Sequence, residues 1–149
     1  MLDAVVNGFA DEAVGLPERR YVSEGNTSWD CEQLTVRFVR STPGLPGAGR
    51  VDPMGQRCAQ PRSAEYEVQL IRCAAAIEGK QTAPTPAAIE ANAAVVLTDA
   101  WLLPIAIALA ASAGEIAGGC QNIVVGALTA RGPEGGFVGN QLTVEIGVA

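Results

Sequence analysis

Cys31, Cys58, Cys73 and Cys120 are the only thiols in the chain, and it has no histidine. No CxxC pair occurs, and with no histidine the commonest zinc ligand is missing, so a structural zinc is not indicated. The same lack removes the usual general base and the Ser-His-Asp triad. Two carboxylate pairs, Asp11/Glu12 and Glu65/Glu67, could in principle divide acid and base roles. Both fall at positions that the surrounding pattern places on exposed faces, where carboxylates mostly solvate a surface. The segments GAGRVDPMG and GPEGGFVG are glycine-rich, but neither opens a helix with a lysine, so no phosphate loop is indicated. Ser23, Ser28, Ser41 and Ser63 stand in no nucleophile-elbow motif. The sequence is therefore read as non-enzymatic, with no catalytic, cofactor-binding or metal-binding residue. Trp29 and Trp101 read as core-edge residues rather than parts of a ligand box.

The work then falls to surfaces. The chain has 149 residues, enough for one domain with a sizeable core. Hydrophobic residues make up 48% and charged residues 17%, an apolar balance that suggests partners cover some of the surface. The net charge of −6 disfavours broad binding to nucleic acid or anionic membrane. The start, MLDAVVNGFADEA, lacks the basic region of a signal peptide. A cytosolic origin is expected, with all four cysteines as thiols.

The elements follow from periodicity. Leu2, Val5, Val6, Phe9, Ala10 and Ala13 form a helical stripe, with Gly15 placed to cap it and Pro17 to stop it. Residues 16–29 read as polar loop. WDCEQLTVRFVRS and SAEYEVQLIRCAA read as strands, with Leu34, Val36 and Phe38 alternating against polar neighbours and Tyr66, Val68 and Leu70 doing the same. An antiparallel register in which paired positions sum to 104 sets Leu34 against Leu70, Val36 against Val68 and Phe38 against Tyr66. It also sets Arg37 against Glu67 and Thr35 against Gln69, and every pair is compatible. The same register brings Cys31 opposite Cys73, either as two buried thiols or as a cross-strand disulfide.

The connection Ser41–Ser63 is dense in Pro and Gly and is locally basic, with Arg50, Arg57 and Arg62 against a lone Asp52. It is expected to project and to dock on carboxylates of a neighbour; having no aromatic residue, it is not suited to stacking on bases. Thr85-Pro86 reads as an N-cap followed by Pro at the first helical position. Behind it Ile89, Ala93, Val96, Leu97, Ala100, Leu103 and Ile107 form a stripe, with Pro104 expected to kink or divide the helix. Asp99 makes this apolar stretch a poor membrane span, so a buried helix is expected, with Ile105, Ile107 and Leu109 covered partly by neighbouring subunits. Asn122–Ala130 and Gln141–Val148 read as strands around the turn RGPEGGFVG. The order α-β-β-α-β-β implies an α+β fold: a four-stranded antiparallel or mixed sheet with helices on one face.

Taken together, the LDAVVNGF helix, the CEQLTVRFVRS … YEVQLIRC hairpin, the LTDAWLL helix and the closing NIVVGALTARGPEGGFVGNQLTVEIGV hairpin resemble the tail terminator proteins of long-tailed (siphovirus) bacteriophages, particularly those of actinobacterial hosts. The resemblance spans nearly the whole chain as a pattern of elements and lengths. It implies a structural virion protein without catalytic residues: a homo-oligomeric ring, a hexamer in that family, that caps the tail tube, ends elongation and offers a joining surface to the head. The implied partners are other copies of the chain, the major tail tube protein, a head-closure or neck protein, and double-stranded DNA passing through the lumen without sequence-specific contact. The implied location is the virion tail and neck, with the host cytoplasm during assembly. The alternatives are another neck protein, such as a head-closure or head–tail connector protein, or a small cytosolic ligand-binding module.

Overall fold

The computed structural model describes residues 2–8, 15–28, 30, 32–47, 61–75, 83–116, 122–134 and 136–148. Two helices and five strands follow in the order α1 (Leu2–Gly8), β1 (Arg19–Ser23), β2 (Gln33–Pro43), β3 (Arg62–Cys73), α2 (Pro86–Ser112), β4 (Ile123–Glu134) and β5 (Phe137–Val148). The class is α+β. The sheet has five strands, not four, in the order β1-β2-β3-β5-β4. The added strand is β1, which lies inside the stretch 16–29 read as loop. Its five residues, RRYVS, carry almost no apolar alternation, and it pairs in parallel with β2.

The β2–β3 register is the one that the apolar face dictates. Leu34 pairs with Leu70, Val36 with Val68, Phe38 with Tyr66 and Arg37 with Glu67. A bulge follows Phe38, after which Arg40 pairs with Glu65. Phe38 and Tyr66 meet edge to face, with centroids 5.7 Å apart. Across the sheet, Val68 pairs onward with Leu142 and Tyr66 with Val144, so one face carries a continuous apolar lattice. Leu34, Val36, Val68, Leu70, Leu142 and Val144 are buried there beneath Leu103, Ala106 and Ile107 of α2. Leu2 and Val6 of α1 pack at the margin of this core.

The closing hairpin is longer than its glycines suggested. RGPEGGFVG is mostly strand: β4 runs to Glu134, β5 starts at Phe137, and Gly136 turns between them at φ +87. Gly139 sits where β5 passes closest to β3, and a Cβ on it would overlap the Leu70 backbone carbonyl. α2 is one continuous helix of 27 residues, so Pro104 does not divide it. The Thr85 hydroxyl caps its start by accepting from the Ala88 N–H at 3.2 Å, with Pro86 at the first turn. The beginning of the long β2–β3 connection does not project. Gly44 N–H donates to Pro61 O at 2.8 Å, and the chain then folds back so that Gly47 N–H donates to Glu145 Oε2 at 2.9 Å. The remainder, including Arg50 and Arg57, lies outside the described residues, as do Trp29, Cys31, the Asp11/Glu12 pair and the expected end of α1. Cys73 is disulfide-bonded, which corrects the expectation of four free thiols; the identity of its partner lies outside the described residues.

The close approach at Gly139 has a measurable consequence. Gly139→Ala pushes against backbone, which cannot swing away, so it should lower unfolding free energy by at least about 2 kcal/mol. Gly25→Ala has open space around the added methyl and should stay within about 0.5 kcal/mol of wild type. Equal urea midpoints for the two variants would contradict this packing.

Candidate functional site

Three features of the folded chain bear on function: a buried ion pair under α2, a polar sheet face, and an apolar outer surface on α2. The even-numbered positions of β3 all point to the helix side, and the last of them is Arg72. Its guanidinium grips Asp99 of α2 with both arms, Nε to Oδ2 at 2.7 Å and Nη2 to Oδ1 at 2.9 Å. Nη1 donates to Gly15 O at 2.9 Å, and Glu32 lies 3.9 Å away. Arg72 is 5% exposed and Asp99 is fully buried. A fork-to-carboxylate pair in such a place fixes both partners in angle and position. Asn140 donates to Val96 O at 2.8 Å and Asn92 donates to Cys73 O at 2.8 Å, so three polar contacts set how the N-terminal half of α2 lies on the sheet. Among the described residues α2 is long and apolar enough to cross a membrane. Its one mid-helix charge, Asp99, is however spent inside the protein on Arg72, while Glu90 stands exposed in the second turn.

The opposite sheet face is polar, and much of it is buried rather than solvated. Gln33, Thr35, Glu67 and Gln69 are all buried. Glu67 organises this face: Arg37 Nη2 lies 2.9 Å from one oxygen, Gln69 Nε2 donates to the same oxygen at 2.5 Å, and Gln141 Nε2 donates to the other. Arg131 Nε donates to Gln141 Oε1 at 2.6 Å and Thr27 donates to Gln69 at 2.9 Å. The network runs from β4 through β5 and β3 to the 24–28 segment that covers β2. Glu67 is therefore a structural acceptor, and it is not the exposed member of a carboxylate pair that the sequence suggested.

Beside it, Glu65 and Glu145 sit directly opposite each other on β3 and β5. Like charges in that position repel. Each is satisfied separately, Glu65 by Arg40 at 2.5 Å and Glu145 by the Ser63 hydroxyl at 3.0 Å and the Gly47 N–H. Arg40, Glu65, Thr143, Glu145, Val124 and Gly126 line a shallow cleft of about 230 Å³. That is below the usual range of small-molecule sites, roughly 300–1,000 Å³. No three metal-ligating side chains converge among the described residues.

The outer face of α2 departs most from expectation. Leu97 is 64% exposed, Trp101 75%, Ile105 47% and Leu109 57%. Only Ile107 of the three expected buried residues (Ile105, Ile107, Leu109) is covered within the chain. Trp101 is not a core-edge residue, and Ile89 and Leu97 are exposed members of the stripe read as core. Arg62, the described member of the basic loop set, is exposed at the start of β3 and donates to Ser41 Oγ at 3.3 Å. The structure does not bring it near Ile105 or Leu109. The chain matches no protein-family model and no curated protein.

Sequence reasoning missed the Arg72–Asp99 pair, although two signals point to it. Asp99 is the lone charge between residues 91 and 114, and Arg72 occupies the apolar phase of YEVQLIRC. Removing one partner leaves the other charged and buried, so Asp99→Ala should cost about 3–5 kcal/mol in urea unfolding. The double replacement Arg72→Met with Asp99→Leu should recover most of that loss. A double variant no more stable than Asp99→Ala would show that the pair is not an isolated electrostatic unit.

Proposed function

We propose that this chain is a structural virion protein, a phage tail terminator that closes into a homo-oligomeric ring on the end of the tail tube. The carrying observation is that the sheet ends in two unlike edges, neither of which has a strand on its outer side among the described residues. β1 runs parallel to β2, β3 runs against β2, β5 against β3 and β4 against β5. β4 therefore runs opposite to β1. A neighbouring copy set beside the first in the same orientation meets it with β4 antiparallel to β1, the pairing that strands favour. Contacts between unlike surfaces are heterologous, and heterologous contacts close into rings when the rotation permits.

Details of β4 agree with this use. Its first eight residues, IVVGALTA, carry no charge, although exposed edges in monomeric proteins are usually blunted with charge. A bulge between Val125 and Leu128 gives the strand the local twist that a curved, continued sheet needs. The resemblance in element order supplies the hexameric count and the neighbours: the tail tube protein on one side and a head-closure or neck protein on the other. The net charge of −6 suits a ring through which DNA must slide without adhering.

Inactivating the chain in its phage should yield filled heads and tails of irregular length that fail to join, with wild-type protein located at the head-proximal tail end by electron microscopy. Normal joined tails without it would end the terminator reading. Separately, Ala127→Lys with Thr129→Lys places two charges on the exposed β4 edge. This variant should keep its circular dichroism and melting temperature but form no rings. Rings formed as readily as by wild type would remove β4 from the contact.

A further inference from the structure

The sheet edges leave the outer surface of α2 unused. At 100° per residue, Leu97, Trp101, Ile105 and Leu109 form one i, i+4 ridge on the side away from the buried Asp99, Leu103 and Ala110. Ala94 and Ala108, both exposed, are the small residues beside it. We propose that this ridge binds the same ridge of a second copy of this chain across a two-fold axis, making a dimer that is distinct from the ring contact.

Three observations select a second copy as the occupant. The first is area. From their fractional exposures, the four ridge side chains present roughly 500 Å² of apolar surface, near the upper end for the largest patch on a monomer. A standard interface covers about 800 Å² per partner, and homodimer interfaces are about 65% apolar. The ridge therefore supplies the apolar share of one side of such an interface. The second is charge. Two copies of a protein with net charge −6 repel unless they meet on neutral ground. Between Glu90 and Glu115 the only ionisable residue is Asp99, which is buried against Arg72. This outer face is the neutral ground.

The third is self-complementarity. A ridge along i, i+4 positions fits into the groove beside an identical ridge, crossing at about −50°. The small Ala94 and Ala108 allow that approach. Pro104 has no N–H to give the Ala100 carbonyl, so that acceptor lacks its normal helical donor. One residue along, the Trp101 indole N–H meets no acceptor in the described chain. In a two-fold contact, each copy offers the donor that the other lacks.

The test uses the purified full chain. Light scattering at tens of micromolar on the ring-deficient Ala127→Lys/Thr129→Lys variant should give twice the 15.3 kDa protomer mass. Trp101→Arg added to that variant should run as monomer with an unchanged melting temperature, since Trp101 is 75% exposed. Trp101→Phe, which keeps the apolar surface and loses the N–H, should weaken association about 3- to 10-fold. Ala127→Lys with Thr129→Lys should leave the dimer intact. Ile105→Cys under mild oxidant should cross-link pairs and no longer species, judged against wild type. Wild type that is monomeric at millimolar concentration, or a dimer unaffected by Trp101→Arg, would overturn the proposal. So would a cross-linked ladder, which signals head-to-tail use of the ridge, or sedimentation with neutral phosphatidylcholine vesicles that Trp101→Arg abolishes. None of these outcomes bears on tail joining in the phage, so this contact and the ring stand or fall separately.

Discussion

The architecture depends on the bond between Arg72 and Asp99. α2 is apolar around its whole circumference, so the hydrophobic effect alone does not say which side faces the sheet or how far along the sheet the helix lies. A bidentate pair does, because its two parallel hydrogen bonds tolerate little sliding or rotation. Burying two charges costs several kcal/mol per ion before the pairing offsets it, so the gain is in uniqueness more than in stability. Gly15 O joins the same guanidinium, so the segment leading into β1 is positioned by the same residue.

That arrangement separates two kinds of surface. The helix side of the sheet is filled by aliphatic side chains whose cross-strand neighbours match in row after row. The other side is held by Glu67 and the amides and guanidinium around it, which restrict the alternatives through direction rather than volume. A face whose polar groups are largely paired with one another, Thr35 Oγ1 and Arg37 Nε being the buried exceptions among the described residues, offers little to a passing ligand, consistent with the small cleft beside Glu65 and Glu145. What remains to meet other molecules is the rim of the sheet and the back of α2.

Much of this was legible in the sequence, for identifiable reasons. The β2–β3 register could be read because one face is buried and a single-residue slip would expose Leu34, Val36 and Val68 together. It held up to Phe38 and shifted at a bulge that no residue type announced. The cap at Thr85 was legible because its chemistry is local. β1 was not, because RRYVS is held by pairing with β2 and not by an apolar face of its own. The long hairpin was cut short because Gly and Pro were read as breakers, whereas β5 carries Gly139 in its ladder and β4 passes Gly132 and Pro133 at a register shift between Arg131 and Glu134, with Gly132 at φ +89. The exposure of Trp101 escaped periodicity altogether. A helix with apolar residues on every side has no preferred face until a partner such as Arg72 chooses one.

The central strand has a further consequence, in time. β3 pairs with β2, the strand just before it in the sequence, but its other neighbour is β5, so that Arg62 meets Val148 and Cys73 meets Phe137. The closing segment leaves the ribosome after α2 and β4, several seconds behind β3 at ordinary synthesis rates of about 5–20 residues per second. Until then the middle of the sheet is an open edge and the underside of α2 has only half a floor. Contacts so distant along the chain also slow the search for the folded state. For such a nascent chain, the hazard lies in the wait for β5, when an unpaired strand and an apolar helix are displayed side by side.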